Sequence, residues 1–297
     1  MRNSPVRQHW IPKAYLRAFC SQPRQAEMIY AYSLSQGRQL PGPTSLDRTA
    51  VIKHFYTLGR QTTDPSFAVE AHLADLESKA APVLREIERT RSLPTHEPSR
   101  VILRLFIATL LTRTRQGLQA IYGYREEVRL GHAAQPDTDL PPANRALSEF
   151  DEERMRELFA RMTVRTAEPI ARIIGRMHWR LLEAEEGYFI TSEHPLVVYN
   201  EHESRWGIGT PGTFIQLPLS PSLLLWLGAP ISLPPQDPFS LPFQAVNAIN
   251  GLIINGARDF LFSHTDFGPI GTLLAEREPN SSPGFGAINT SMQRNEA

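Results

Sequence analysis

Apolar side chains recur at three- and four-residue spacing through most of the first two thirds of this chain, then give way to short continuous or alternating runs. Near the start, Tyr15, Leu16 and Phe19 follow Pro12 at helical spacing. This predicts a short opening helix with Pro12 in its first turn, where a missing N–H costs no hydrogen bond. Residues 26–34 alternate around Ile29, Ala31 and Ser33, and a Gln36-Gly37 turn leads on to Arg38 and Leu40, the pattern of a small hairpin. Pro41-Gly42-Pro43 ends it, and residues 50–58, with His54, Phe55 and Tyr56, read as a second extended segment whose aromatics belong in the core.

Over residues 66–91, Phe67, Val69, Leu73, Leu76, Val83, Leu84 and Ile87 predict an amphipathic helix with Pro82 as a kink or boundary. One longer helix is expected over 98–130, its first half apolar all round and therefore central. The Pro- and Asp-rich stretch 131–144 reads as a surface loop. Helical spacing then resumes at Ser148, with Ser148 and Asp151 as candidate caps, and runs to Leu182 with Pro169 as a dividing point. From Gly187 the pattern is extended, with strands expected over 188–190, 196–199, 213–217 and 223–227. A Pro-rich crossing over 230–242, a last helix over 243–257 and a final strand over 258–264 follow. The class implied is α+β: a helix-rich first two thirds packed on a mostly antiparallel sheet from the C-terminal third, with a small N-terminal hairpin able to join it. Residues 8–264 are expected to form one domain, or two packed lobes (60–186 helical, 187–264 sheet-rich), and 278–297 a disordered tail.

Composition narrows the class. At 297 residues and 41% apolar content the chain is long enough for a sizeable core. No apolar run reaches the roughly 20 residues needed to cross a bilayer, and no secretory leader pattern opens the sequence, so no membrane partner and a cytoplasmic location are expected. Cys20 is the only cysteine, which rules out an internal disulfide and a cysteine-rich zinc site. The formal net charge is zero, yet the first sixty residues are basic and the stretch from Glu183 to Glu203 is acidic. Either the basic segment meets an anionic partner, a small molecule or a nucleic acid, or the acidic stretch folds against it. Dinucleotide and phosphate-loop fingerprints, the His-Glu-x-x-His zinc motif and the Gly-x-Ser-x-Gly elbow are all missing.

The residues with chemistry are few. His9 stands just before the opening helix and fits either a general base or metal ligand, or a half-buried imidazole satisfying a backbone group. Arg17 would grip an anion or pair with a carboxylate. Glu70 and Glu77 lie two turns apart on one helix face, roughly 10 Å along the axis, too far for both to ligate one ion without bending; they either flank a site or are two solvated glutamates of an amphipathic helix. Arg113 and Arg115 follow the buried run and must face a cleft or a partner; a bridge to Glu70 or Glu77 is the competing role. Thr191-Ser192-Glu193-His194-Pro195 forms a stiff, acid-bearing turn at a strand end. Asn247 and Asn250 share a face of the last helix, there to lock it onto a strand edge or to offer amides to a ligand.

Gln8-His9-Trp10-Ile11-Pro12-Lys13-Ala14-Tyr15-Leu16-Arg17-Ala18-Phe19, read with Phe55-Tyr56, Glu70, Glu77, the Thr191–Pro195 turn, Pro218-Leu219-Ser220-Pro221 and Asn247, resembles the uncharacterised, mostly bacterial family known as domain of unknown function 4238. In that family the turn usually reads Thr-Ser-Asp-Asn-Pro, so Glu193 and His194 depart from it, and an arginine recurs near Arg113. The resemblance implies positions and no activity. Two functions are open. The first is a hydrolase of a phosphate-containing substrate, nuclease- or phosphodiesterase-like. His9, Glu70, Glu77, Arg113 and Glu193 would be its catalytic groups, and Gln8, Arg17, Arg115, Ser192 and Asn247 its binding groups. No cofactor is specified, a divalent metal being the candidate. The second is a non-catalytic binding or regulatory module in which the same residues form a structural network. An open pocket lined by His9, an arginine and a glutamate would favour the first; buried groups with satisfied partners would favour the second.

Overall fold

Pro12 precedes, rather than joins, the first helix: it is the cap of α1 (Lys13–Leu16), which follows β1 (Arg7–His9) and tightens into a 3-10 turn at Arg17–Phe19. The computed structural model describes residues 7–21, 27–53, 55–59, 66–134, 141–200, 207–229 and 238–277. Tyr15, Leu16 and Phe19 are all buried, as their spacing predicts. The hairpin forms as β2 (Met28–Ser33) and β3 (Arg38–Gln39), with Ile29, Ala31 and Ser33 inward and Gly37 at φ 60° in the turn. β4 (Thr44–Ser45) adds to β2, and β5 (Val51–Lys53) pairs antiparallel with β1. His54 and the expected tail 278–297 lie outside the described residues.

Helices α2 (Ala68–Thr90), α3 (Glu97–Thr112), α4 (Arg115–Ala134), α5 (Pro142–Ser148) and α6 (Glu152–Ile174) then make the helical layer. Pro82 and Pro169 sit inside α2 and α6 without dividing them. Burial of Ala80, Val83 and Ile87 on one helix, and of Ala167, Ala171 and Ile174 on the other, outweighs the one backbone hydrogen bond each proline removes. The single helix expected over 98–130 is in fact two. It breaks at Arg113 (φ −93°, ψ 28°), and Thr114 restarts it, its Oγ1 accepting the N–H of Gly117 at 3.0 Å. Helix also enters both ends of the stretch expected to be loop, through Ala134 and from Pro142. Asp151 caps α6 as expected, accepting the N–H of Arg154.

The change to extended structure comes earlier than Gly187. α6 ends at Ile174, capped by Gly175, and β6 (His178–Ala184) takes residues that the spacing assigned to helix. The indole N–H of Trp179 donates to the carbonyl of Ile174 at 3.0 Å, satisfying a helix-end acceptor while its own residue is already in the strand. β7 (Thr191–Ser192), β8 (Val197–Asn200), β9 (Thr213–Pro218), β10 (Leu223–Gly228) and β11 (Phe239–Leu241) follow, then α7 (Phe243–Gly256), β12 (Phe260–Ser263) and a short α8 (Gly271–Ala275). Residues 188–190, expected as strand, lead into β7 without forming one.

The class is α+β. One five-stranded sheet has the order β11-β6-β10-β9-β8 and is antiparallel except where β11 runs parallel to β6. A second has the order β3-β2-β12-β7 with β4 beside β2, so the N-terminal hairpin does join C-terminal strands. All six residues of β10 are buried, and they serve two cores by alternation. Leu223, Leu225 and Leu227 join the helical layer and the opening motif, whereas Leu224 and Trp226 pack with α7, Leu261 and Phe267. Among the described residues no helix is long and apolar enough to cross a membrane.

Asn250, fully buried on α7, locks that helix to the chain before β7: Oδ1 accepts the N–H of Ile190 at 3.1 Å and Nδ2 donates to the carbonyl of Tyr188 at 2.8 Å. Asn250→Ala strands both backbone groups and is expected to destabilise the chain by about 2–4 kcal/mol in urea unfolding. A loss below about 0.5 kcal/mol would show that the lock contributes nothing net.

Candidate functional site

Successive strand residues face opposite ways, and in β1 this sends Gln8 inward and leaves His9 half-buried. The Gln8 side chain accepts the backbone N–H of Tyr56 and donates to Thr57 Oγ1 at 3.1 Å, tying β1 to the segment after β5. His9 Nδ1 lies 3.0 Å from the carbonyl of Thr49. A carbonyl only accepts, so Nδ1 carries the proton and Nε2 is left as the basic nitrogen. Burial, opposed by that hydrogen bond, lowers the His9 pKa and favours the neutral ring. Ala50, next to Thr49, is held at φ 52°, and its carbonyl accepts the Trp10 N–H at 3.1 Å.

Arg113 stands at the centre. Only 2% exposed, it donates from Nη1 to Glu77 Oε1 and from Nη2 to the carbonyl of His9, both at 2.6 Å. Its guanidinium also lies over the Tyr56 ring at 5.5 Å, while the Tyr56 hydroxyl donates to the Arg113 carbonyl at 3.2 Å. Burial works against the charge, but Tyr56 and Glu77 outweigh it, and the net shift is upward. Among the described residues Glu70 has no partner of its own: Oε2 is buried and accepts no hydrogen bond from them, and Arg113 Nε is buried without an acceptor among them. Burial pushes the Glu70 carboxyl from its ordinary 4.5 up to about 7, with Arg113 pulling it down and Glu77 adding to the rise.

Arg115, two residues on, starts a second cluster. It pairs with Asp259 at 2.7 Å and its guanidinium lies over Trp10 at 5.6 Å. Asp259 belongs to the turn before β12, whose backbone holds Glu193. The Glu193 carboxylate is fully buried and accepts the N–H groups of Arg258, Asp259 and Phe260. Burial raises its pKa and the three amides work against that rise. Ser192 Oγ donates to the carbonyl of His194 at 2.7 Å and accepts the His194 N–H, so its hydroxyl serves the turn. Burial, with Arg258 and Arg115 nearby, depresses the His194 pKa to about 3 and keeps that ring neutral.

The two halves of the chain therefore do meet, through Trp10 and the Arg113-Thr114-Arg115 break. Tyr15 adds a second tie: its hydroxyl donates to the carbonyl of Pro218 at 2.7 Å and so accepts from Thr191 Oγ1 at 2.8 Å, which joins the opening motif to both sheets. Two residues of the candidate set stand elsewhere. Arg17 pairs with Glu27 at 2.6 Å, and Asn247 is half-buried on α7 with no hydrogen-bond partner among the described residues. Lys13 pairs with Asp47 and Glu27, so the basic opening is neutralised in part by its own neighbours. Among the described residues no three His, Cys, Asp or Glu side chains converge as a bound metal needs. Tyr56, Asp259 and the three amides of Arg258, Asp259 and Phe260 at the start of β12 complete the clusters and were not legible as such. A signal for the helix break existed in Thr112-Arg113-Thr114, a cap residue on each side of a cation that cannot stay in the core.

Because the native carboxyl of Glu70 keeps its proton to higher pH than the unfolded one, the folded state binds more protons between about 4.5 and 7 and loses stability as pH rises through that window. The loss attributable to Glu70 is of order 3 kcal/mol at most. Glu70→Gln removes it, so the stability of the variant relative to wild type should rise from pH 5 to pH 8 in parallel urea titrations. Parallel pH profiles would mean that Glu70 ionises as a solvated carboxylate does.

A model of the family described as protein of unknown function (DUF4238) matches residues 7–267. No curated protein and no solved structure matches the chain. The match spans β1 through the turn after β12 and so takes in the opening motif, both glutamates of α2, the Arg113 break and the Ser192-Glu193-His194 turn: the chain belongs to this family of unknown function.

Proposed function

We propose that this chain is a binding or regulatory module in which the motif residues form a structural network, one that fixes how the helices dock on the sheets. The observation that carries this reading is that the arginines of the set and Glu193 already have protein partners. Arg113 is held by Glu77 and the His9 carbonyl, Arg115 by Asp259, Arg17 by Glu27, and Glu193 by three backbone amides. The Arg113 guanidinium, buried and engaged at both ends, is not presented to a ligand, and removing Glu77 would leave it buried with one donor unpaired.

One observation favours the alternative, a hydrolase of a phosphate-containing substrate. Glu70 has an unpartnered buried oxygen and a carboxyl raised to about 7, beside Arg113 and Glu77. A carboxyl poised near neutrality is what general acid–base catalysis needs. In that reading Glu70 moves the proton, His9 Nε2 is the base, and Arg113 exchanges Glu77 for substrate, with Glu193, Ser192, Gln8, Arg115, Arg17 and Asn247 as further contacts.

The two readings part in a thermal-shift experiment on wild type and His9→Ala with divalent metals, nucleotides and oligonucleotides, run beside a phosphodiesterase assay on a chromogenic diester. The module reading expects His9→Ala to lower the Tm by about 2–6 °C, to leave any ligand-induced shift unchanged, and no turnover from either protein. Turnover by wild type that disappears in folded Glu70→Gln would replace the module with the hydrolase.

A further inference from the structure

Away from the Arg113 network, the first turns of α3 and the start of β6 enclose a cleft of about 260 Å³. Arg100 and Arg104 project into it from one face of α3, one turn apart, and His178 and Trp179 close it from β6. Arg113 follows the far end of the same helix, about 13–20 Å further along its axis. Arg100 is exposed, has no acidic partner among the described residues, and is steadied by the Trp179 ring at 5.9 Å. Arg104 donates to Glu97 Oε1 at 2.9 Å, but Glu97 is 65% exposed on the rim and is free to turn outward. The Trp179 indole is fixed by its bond to the Ile174 carbonyl, so the wall under Arg100 is rigid. Gly175 lets Arg104 lie close: a Cβ there would stand 3.1 Å from Nη1. The cleft thus holds two forked cations against one rim carboxylate.

We propose that this cleft binds a small phosphorylated molecule, its phosphate held between the Arg100 and Arg104 guanidiniums after displacing Glu97. Forked N–H donors on successive turns match a tetrahedral oxyanion, to which guanidinium binds with two parallel hydrogen bonds. The volume lies just under the roughly 300 Å³ at which drug-sized pockets begin, which suits a phosphate with one small group attached and leaves no room for a folded polymer. The proposal goes beyond the module reading, since it gives the chain a ligand and a place for it that the Arg113 network does not supply.

The test is isothermal titration of the full chain with AMP and with inorganic phosphate, against potassium chloride at matched ionic strength. Saturable binding at millimolar or lower concentration is expected for both anions and not for chloride. Arg100→Ala and Arg104→Ala should each weaken it by at least about tenfold. Glu97→Gln, which removes the competing carboxylate, should tighten it, and Gly175→Ala, which pushes the Arg104 guanidinium aside, should weaken it. Arg89→Ala, an exposed arginine of α2 paired with Glu86, serves as the control and should bind as wild type does. Each variant is first checked for an unchanged unfolding transition, and Arg100 supplies a variant whose loss breaks no ion pair among the described residues. Heat that chloride reproduces, or affinity that survives both arginine replacements, overturns the proposal. Because binding is read without turnover, failure here is distinct from failure of the module reading, which the diester assay decides.

Discussion

The bidentate reach of one guanidinium sets the arrangement of everything around it. Arg113 follows helical turns that are almost entirely buried, and continuing the helix would bury its charge without a partner. Leaving the helix at that point turns the chain, separates α3 from α4, and places two donors between Glu77 of α2 and the backbone of β1. Helical layer, opening motif and helix break are thereby one interaction. Replacing it with a neutral side chain would remove the reason for the break as well as the contact.

Around that centre the molecule uses backbone groups as partners more often than side chains. Gln8 meets a backbone N–H, His9 a carbonyl, Glu193 three amides and Asn250 one of each kind. Such partners exist whatever the neighbouring side chains are, so the polar groups fix chain path and leave side-chain identity free. Glu193 shows the consequence for a departure from the family's usual short acid: the longer carboxylate still spans three consecutive amides.

Much of this was legible in the pattern of residues and some of it was not. The α+β class, the buried face of Tyr15, Leu16 and Phe19, the hairpin with its Gly37 turn and the strands β8 to β10 follow from local spacing, which those elements obey. Two errors had one cause. Residues 98–130 and 148–182 each carry continuous helical spacing, but tertiary partners end the helix early: Glu77 and the His9 carbonyl at Arg113, and pairing with β10 at His178. The pairing of β1 with β5 was hidden for the opposite reason, since three-residue strands have too little pattern to read. The polar residues were legible by type, whereas their partners, being mostly backbone, carry no side-chain signature.

β2 lies between β3 and β12, and Tyr15 bonds to a carbonyl 203 residues away, while Gln39 accepts the N–H of Phe267 across 228 residues. Early in synthesis β2 therefore has only β3 and β4 beside it, and its other edge has no partner until β12, near the end of the matched region, has been made. On a ribosome the helices α2 to α6 would form first by local contacts and hold a half-finished surface, with the edge of β2 open, through the time that the rest takes to emerge. The chain's exposure to misassembly thus depends on the rate of translation, and a cell that slows synthesis between β2 and β12 prolongs it.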